Sequence, residues 1–254
     1  MAGRLTGKRA LIYGGGTGIG LACAEAMLAE GAALFLSGRR SDVLAAAALK
    51  LAPHGSVDVE PGDATEVADV ERVTARAAAF LGGIDTILIS AGAGGPTPIL
   101  DTAPEEFQRI INSNLRPLFL AVRIGAQHLL AAGPGSVIAI SSMYGLVGQK
   151  ERVAYCGAKA GVNGMVQAMA LDFADKGIRV NAICPGFVET ELAWEVARKE
   201  GDPVAVINGK RAMHPIPRGG RLEEMGELAV YLASDLSAFM TGQALAIDGG
   251  YTVR

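Results

Sequence analysis

Tyr155 and Lys159 form a Tyr-x-x-x-Lys pair, and Ser142 precedes the tyrosine by 13 residues. Positions i and i+4 share one face of a helix, so the Lys159 ammonium can lie near the Tyr155 phenol. A free phenol loses its proton at about pH 10, and a neighbouring cation favours the phenolate. Lowering that pKa to about 7 requires roughly 4 kcal/mol. Such a phenol could exchange a proton with an alcohol or carbonyl oxygen that Ser142 also contacts.

A glycine-rich segment near the N-terminus predicts the hydride carrier that would work with this proton donor. The apolar run 9–13 leads directly into GGGTGIG (14–20), which a helical pattern follows. Glycines permit a tight turn and a close backbone approach to a pyrophosphate, and the helix N-terminus offers free amides to the phosphates. This strand–turn–helix context predicts dinucleotide binding.

The end of the second predicted strand, SGRR (37–40), indicates which dinucleotide binds. An acidic residue there would bind the ribose 2′-hydroxyl of NAD, whereas an arginine accommodates the 2′-phosphate of NADP. The chain has Arg39 and Arg40 at this point and no carboxylate before Asp42. Arg39 can give a phosphate a planar, charge-assisted contact. We therefore predict NADP(H), with NAD(H) as the alternative if the two arginines are merely solvated.

The elements that must position these groups alternate between strand and helix. The predicted strands are 9–13, 33–37, 56–60, 86–90, 136–140, 179–183 and 244–248. The predicted helices are 18–30, 42–51, 66–80, 105–131, 152–176 and 222–233. This alternation predicts one α/β domain over residues 1–254, a Rossmann-like, doubly wound parallel sheet of about seven strands with helices on both faces.

One segment, residues 188–221, interrupts this alternation. It mixes polar residues, prolines and glycines with only short helical pieces. It follows the carboxyl end of a strand, where open α/β sheets bind their ligands. A long excursion at that place predicts a substrate lid.

Composition excludes several classes of function. The chain has 254 residues, half of them hydrophobic, which suits one large core. A net charge of −3 gives no basic footprint for nucleic acid. The sequence has no apolar run of membrane-spanning length and no signal-peptide pattern, so we expect a cytoplasmic protein. Its cysteines and histidines match no metal-site spacing, and no metal is expected.

With these motifs placed, the sequence resembles the short-chain dehydrogenase/reductase family along essentially its whole length. The GGGTGIG turn resembles the cofactor turn of that family, and SAG (90–92) resembles its Asn-Ala-Gly motif. PGFVET (185–190) resembles the nicotinamide loop, and TGQALAIDGGY (241–251) the last strand. Two positions depart from the family pattern, Tyr13 in place of threonine and Ser90 in place of asparagine. We expect them to loosen the backbone around the cofactor at most.

The resemblance implies a role for each of four catalytic residues, Asn114, Ser142, Tyr155 and Lys159. Tyr155 would be the general acid in carbonyl reduction and the general base in alcohol oxidation, with Ser142 polarising the reacting oxygen. Lys159 would lower the pKa of Tyr155 and hold the nicotinamide ribose, and Asn114 would position a water in a proton relay. The implied cofactor contacts, which include an adenine contact at Asp63, are Gly14, Gly16, Thr17, Gly18, Ile19, Gly20, Ser37, Arg39, Arg40, Asp63, Ala64, Ser90, Ala91, Gly92, Tyr155, Lys159, Pro185, Gly186, Val188 and Thr190.

The implied activity is that of a short-chain alcohol dehydrogenase or carbonyl reductase, and the substrate stays open. The residues expected to face it are Ser142, Met143, Tyr144, Gln149 and Trp194. They indicate a mixed pocket without a strong charge, although Arg152 or Lys199 could meet an acidic substrate. Polyols, ketones, steroids and acyl thioesters, including 3-oxoacyl thioesters, all stay open.

Two further expectations concern the kind of protein and its assembly. A non-catalytic dinucleotide sensor or scaffold on the same fold is the alternative, but a chain released from catalysis would be expected to lose some of the four catalytic groups, and this one retains them all. The family resemblance also implies a homotetramer assembled through the helices at 105–131 and 152–176 and the C-terminal strand.

Overall fold

The computed structural model describes residues 3–253, and its centre is one parallel sheet. The strands are Arg9–Tyr13 (β1), Ala33–Gly38 (β2), Val57–Pro61 (β3), Thr86–Ile89 (β4), Gly135–Ile140 (β5), Ile178–Pro185 (β6) and Ala244–Ile247 (β7). Their order is β3-β2-β1-β4-β5-β6-β7, and all pairings are parallel. The predicted fold class is confirmed, and all seven predicted strands are present.

Helices connect the strands and cover the sheet. They are Gly18–Ala29 (α1), Ser41–Leu51 (α2), Val67–Leu81 (α3), Pro104–Ala132 (α4), Val153–Phe173 (α5), Glu191–Glu200 (α6), Pro203–Ala212 (α7) and Leu222–Ala233 (α8). The helix predicted over 152–176 ends at Phe173 and continues as one 3₁₀ turn to Lys176. A second 3₁₀ turn, Met143–Gly145, follows β5 and lies beside the site described below.

Two apolar cores fill the spaces on the two sides of the sheet. One joins the sheet to α3, α4 and α5 and includes Val73 and Val162. The other joins it to α1, α2 and α8 and includes Met27 and Val230. The inner strands β1, β2, β4 and β5 are largely buried and read as nearly continuous apolar runs, whereas the edge strands β3 and β7 are only partly buried.

The chain reverses its direction across the sheet between β1 and β4. β2 and β3 follow β1 on one side of it in the sheet. The chain then crosses back, and β4 lies on the other side of β1. The Ser90 amide donates to the Tyr13 carbonyl over 2.8 Å, which holds the ends of the two strands together. Open α/β sheets bind ligands in the crevice at such a switch point.

Two capped helices occupy most of the segment 188–221, where we predicted only short helical pieces. The Thr190 hydroxyl accepts from the Ala193 amide over 3.1 Å at the start of α6. The Asp202 carboxylate accepts from the Val204 amide over 3.0 Å, and a proline occupies the first position of α7. These caps support two ten-residue helices that pack against each other. The prediction therefore underestimated the regular structure of this segment.

Across residues 3–253, no helix combines the length and apolar character needed to cross a membrane. The same residues contain no group of three His, Cys, Asp or Glu side chains arranged to hold a metal ion. The three cysteines are all free, two of them buried.

Candidate active site

The four predicted catalytic side chains meet beyond the carboxyl ends of β4 and β5. A hydrogen bond joins the Tyr155 phenol to Ser142. The Lys159 Nζ lies 5.7 Å from the centroid of the Tyr155 ring. The position that a Cβ on Gly92 would occupy is 2.7 Å from the Asn114 Oδ1 and 3.4 Å from the Lys159 Nζ. The structure thus brings all four predicted groups together at one site.

Lys159 carries a buried ammonium group, with 5% of the residue exposed. Its Nζ donates to the Ile140 carbonyl at the end of β5 over 2.9 Å. Burial lowers the pKa of Lys159 to about 8, because the charged form loses its hydration. The lysine is therefore anchored on the strand and titrates closer to neutrality than an exposed one.

The phenol of Tyr155 differs from the sequence-based expectation. Burial raises the pKa of Tyr155 above its ordinary value, and the hydrogen bond from Ser142 and the charge of Arg152 only partly oppose this effect. The prediction that Lys159 lowers this pKa is therefore wrong for this structure. The ammonium is held on the Ile140 carbonyl and lies over the ring, instead of contacting the hydroxyl.

Asn114 is 2% exposed, and only the nitrogen of its side-chain amide forms hydrogen bonds within the described residues. Its Nδ2 donates to the carbonyls of Ala93 and Ile110 over 2.7 and 2.8 Å. Its Oδ1 has no hydrogen-bond partner among the described residues. Buried acceptors are rarely left unpaired, and an acceptor near an ammonium suits an ordered water.

The glycine turn packs closely against the two loops that face it. Gly14 has φ +79° and Gly18 has φ +55°, a backbone region that favours glycine. A Cβ on Gly14 would lie 2.9 Å from the Ala91 amide nitrogen. A Cβ on Gly18 would lie 3.7 Å from the Thr190 methyl group. The segments 14–20, 90–92 and 185–190, predicted separately as cofactor contacts, are therefore neighbours.

The residues present at this crevice fit a dinucleotide. The α1 helix begins at Gly18 with no acidic residue in its first turn, so its free amides face no local anion. Thr17 precedes it as the N-cap without a side-chain capping bond. Gly16 and Ile19 lie in the same turn.

At the far end of the crevice, Arg39 and Arg40 are exposed. Within residues 3–253, neither makes an ion pair or a side-chain hydrogen bond. Ser37 is fully buried, and its hydroxyl lacks a partner among the described residues. The Asp63 carboxylate accepts from the amide and the hydroxyl of Thr65, which fixes the turn that also carries the buried Ala64.

A histidine that sequence reasoning missed holds the loop after β6. The His214 Nε2 accepts from the Phe187 amide over 3.2 Å, and the Nδ1 donates to the Asp248 carbonyl over 2.8 Å. A Cβ on Gly186 would lie 3.0 Å from the His214 ring. Val188, next in this loop, forms a parallel bridge with Gly220. His214 is 27 residues from Phe187 in the chain, and no local pattern marks it.

The predicted substrate residues divide into three environments. Tyr144 packs edge-on against Tyr155, with the centroids 6.5 Å apart, and Gln149 accepts from the hydroxyl of Tyr251 over 3.0 Å. Met143 is only 4% exposed, so it packs in the interior instead of lining an open pocket. Trp194 lies half-buried on α6. Tyr251, which sequence reasoning missed, enters the site from the C-terminal segment and also stacks edge-on against Tyr144.

Tyr13 lies away from the cofactor crevice, where the sequence placed it. Tyr13 is 1% exposed and its hydroxyl lies 2.9 Å from the Thr74 hydroxyl of α3, so its side chain packs in the core and not against the cofactor crevice. Asn163, one turn beyond Lys159, was not predicted. The Asn163 Nδ2 donates to the Gly145 carbonyl over 3.0 Å, and this hydrogen bond connects α5 with the turn that carries Tyr144.

Comparison with known proteins places this chain in a known class. A family model described as enoyl-(acyl carrier protein) reductase matches residues 14–252. The chain is 36% identical to a cis-4-hydroxycyclohexanecarboxylate dehydrogenase of Sinomonas cyclohexanicum, over 96% of each chain. It is 33% identical to an NADP-dependent (R)-specific alcohol dehydrogenase of Lentilactobacillus kefiri over the whole of both chains. A short-chain type dehydrogenase/reductase of Mycobacterium marinum has a crystal structure that superposes with a TM-score of 0.90, at 36% identity over 98% of this chain and 97% of that one.

These similarities define a dinucleotide-binding oxidoreductase of the Rossmann type. The chain belongs to the short-chain dehydrogenase/reductase family. Within it, the chain is an NAD(P)-dependent enzyme of the alcohol dehydrogenase type, which interconverts a secondary alcohol and a ketone. The activity predicted from the sequence is thereby confirmed at this level.

Proposed function

We propose that Tyr155 transfers the proton in this reaction and that Ser142 orients the reacting oxygen. The observation that carries the proposal is the hydrogen bond between these two hydroxyl groups in a buried site. A carbonyl oxygen that contacts both would accept a proton from Tyr155 during reduction, and an alcohol would return it during oxidation. The Ser142 hydroxyl also accepts from the Tyr144 amide, which fixes its direction.

We infer that Lys159 and Asn114 restore the proton of Tyr155. The Asn114 Oδ1 is an acceptor without a partner among the described residues, and it lies close to the ammonium, so the two can hold a water between them. The lowered pKa of Lys159, about 8, lets this ammonium give up a proton more readily than an exposed lysine. The ammonium can also donate to the hydroxyls of a ribose.

The coenzyme supplies or accepts the hydride when it is bound. We propose that the segments 14–20, 37–40, 63–64, 90–92 and 185–190 hold it. The close packing of the first, fourth and fifth of these segments supports this assignment. The hydride chemistry then belongs to the coenzyme, while this chain orients the two reactants and handles the proton.

NADP(H) is the proposed coenzyme, because Arg39 and Arg40 are exposed cations without partners among residues 3–253. We expect the wild-type enzyme to prefer NADPH over NADH. Arg39→Ala should lower kcat/KM for NADPH by about 10- to 100-fold, since one charge-assisted contact to a phosphate is lost, and affect NADH far less. The measurement is a panel of ketones, alcohols and a 3-oxoacyl thioester with both coenzymes, with Arg123→Ala, an exposed arginine on α4, as the control. A wild-type preference for NADH would refute the coenzyme assignment and leave the catalytic one intact.

The segment 188–221 is the proposed substrate lid. A bidentate ion pair between Glu189 and Arg211 and the bridge between Val188 and Gly220 tie its two ends together. Trp194 on α6 is the only tryptophan of the chain, so its fluorescence reports on this segment. A change in that fluorescence when coenzyme and substrate bind supports a lid, and its absence argues against one.

A homotetramer in the cytoplasm is the proposed state of the protein. The long helices α4 and α5 pack against each other and carry exposed apolar side chains such as Phe119 and Leu171, which a second subunit could cover. Light scattering should give four times the chain mass of 26.1 kDa. A monomeric mass would refute this assembly.

A further inference from the structure

Arg152 differs from the other half-buried arginines in the described residues. Four arginines between residues 3 and 253 are half-buried. Three have partners: Arg9 with Asp85, Arg211 with Glu189, and Arg179 with Ser237 and the Ser234 carbonyl. Arg152 has no ion pair and no side-chain hydrogen bond in the same part of the chain. Keeping a guanidinium half out of water without a partner is unfavourable, so this side chain calls for another explanation than packing.

Local helix chemistry does not explain this arginine either. Arg152 is the N-cap residue of α5, a helix of 21 residues, and makes no capping hydrogen bond there. Short polar residues such as Ser, Thr, Asp and Asn stabilise that position. A cation at a helix N-terminus also meets the positive end of the dipole. An arginine is therefore an unfavourable choice for helix stability at this place.

The charge of Arg152 is within electrostatic range of the reacting groups. It acts on the phenols of both Tyr155 and Tyr144, which pack edge-on with their centroids 6.5 Å apart. A backbone hydrogen bond from the Cys156 amide to the Arg152 carbonyl holds the arginine at the first turn of the helix that carries Tyr155. The arginine thus stands at the start of the helix that carries Tyr155, within electrostatic range of its phenol.

The nearby carboxylates are engaged elsewhere. Glu151 is exposed and pairs with Lys150 over 3.5 Å. Asp248, behind Tyr251, accepts from the backbone amides of Gly250 and Thr252. Tyr144 and Gln149 on this side of the site are neutral polar side chains. Within the described residues, the positive charge beside Tyr155 therefore has no counter-ion.

We propose that Arg152 binds a carboxylate on the substrate, so that the enzyme acts on hydroxy acids and keto acids. A carboxylate would satisfy the guanidinium through two parallel hydrogen bonds and would lie near the positive end of α5. This inference rests on the proposed function, because it requires that Tyr155 handles the reacting oxygen. Of the alternatives that the sequence left open, it selects an acidic substrate, and it assigns the contact to Arg152.

The test compares a keto acid with its neutral ester in the full-length enzyme with coenzyme. The probes are 4-oxocyclohexanecarboxylate and its methyl ester. Wild type should prefer the acid, and Arg152→Gln should reduce the acid-to-ester ratio of kcat/KM by about 10- to 100-fold, mainly through KM. Lys150→Gln, which removes an exposed cation two residues away, should leave the ratio unchanged.

A binding measurement makes the test independent of turnover. In calorimetry, wild type and Tyr155→Phe should both bind cyclohexanecarboxylate. Arg152→Gln should bind it with an affinity at least about tenfold lower. Equal kcat/KM values of wild type for the acid and the ester would overturn the proposal. An equal loss of kcat/KM for both substrates in Arg152→Gln would also overturn it, because the arginine would then act through Tyr155 or the fold. Failure of the proposed function is a separate result, namely a Tyr155→Phe variant that retains turnover.

Discussion

Tyr155→Phe is expected to lower kcat by about 10²- to 10⁴-fold, the contribution of a positioned general acid or base. The substitution removes only the hydroxyl, so the ring retains its edge-on packing against Tyr144 and its close approach to Gly94. Coenzyme affinity should therefore survive, and the fluorescence of Trp194 offers a way to measure it. Steady-state rates of both directions, measured on one ketone and one alcohol, give the change in kcat.

Tyr231→Phe on α8 is the matched control for this variant. Tyr231 is partly buried against the core on the opposite side of the sheet from α5, and its backbone carbonyl accepts from the hydroxyls of Ser234 and Ser237. The substitution keeps that carbonyl, and the activity of the control should equal that of the wild type. If Tyr155→Phe also kept kcat within about threefold of wild type, Tyr155 could not be the proton donor, since general acid–base catalysis is worth far more.

Lys159→Met is expected to abolish most activity and yet to stabilise the fold at neutral pH. Burial depresses the pKa of Lys159 from its ordinary value of 10.5 to about 8, so holding its charge in the fold costs about 3 kcal/mol. Methionine fills a similar volume without a charge, but it leaves the Ile140 carbonyl without its donor, which costs about 1 kcal/mol. The free energy of unfolding of the variant should thus be about 2 kcal/mol higher than that of the wild type.

The pH dependence of this difference provides the sharper test. Below about pH 8 both the folded and the unfolded wild type carry the lysine proton, so the buried charge destabilises the folded wild type by its full amount. Between about pH 8 and 10.5 only the unfolded state keeps the proton, and the wild type gains stability relative to the variant. Above that range the lost hydrogen bond should make the variant the less stable protein.

Urea unfolding at about pH 7 and about pH 10, without added coenzyme, measures both ends of this range. Lys150→Met removes a lysine whose side chain is 88% exposed, and it should show no such dependence. A Lys159→Met variant that is less stable than wild type at neutral pH would contradict the assignment of an uncompensated buried charge.

The centre of the sheet could be predicted from the sequence because its inner strands are buried on both faces. Runs such as Arg9–Tyr13 and Gly135–Ile140 are largely apolar and are separated by strong helical patterns. The two helices of the 188–221 segment were underestimated as short helical pieces, because polar residues, glycines and prolines interrupt the apolar pattern. Thr190 and Asp202 were nevertheless visible as capping residues, and Pro203 marked a helix start.

The site could be predicted in part, since motifs show which residues are present and not how they are surrounded. The proximity of Tyr155 and Lys159 follows from helical spacing, and the structure places both on one face of α5. The direction of the Tyr155 pKa could not be predicted, because it depends on burial and on the Ile140 carbonyl that engages the ammonium. The contributions of His214 and Tyr251 depend on contacts between segments distant in the chain, which carry no local signal. Apart from the predicted effect of Lys159 on the pKa of Tyr155, the individual roles of the four catalytic groups stay predictions.

The most direct measurement of the role of Tyr155 follows a deuterium label in a single turnover. An alcohol that carries deuterium on its carbinol carbon is mixed with excess enzyme and oxidised coenzyme, and the reduced coenzyme is analysed by mass spectrometry. We predict that wild type transfers the deuterium to the coenzyme, while Tyr155→Phe binds the coenzyme but transfers the label at least about 100-fold more slowly. Transfer by Tyr155→Phe at the wild-type rate, or a wild-type product without the label, would contradict this mechanism.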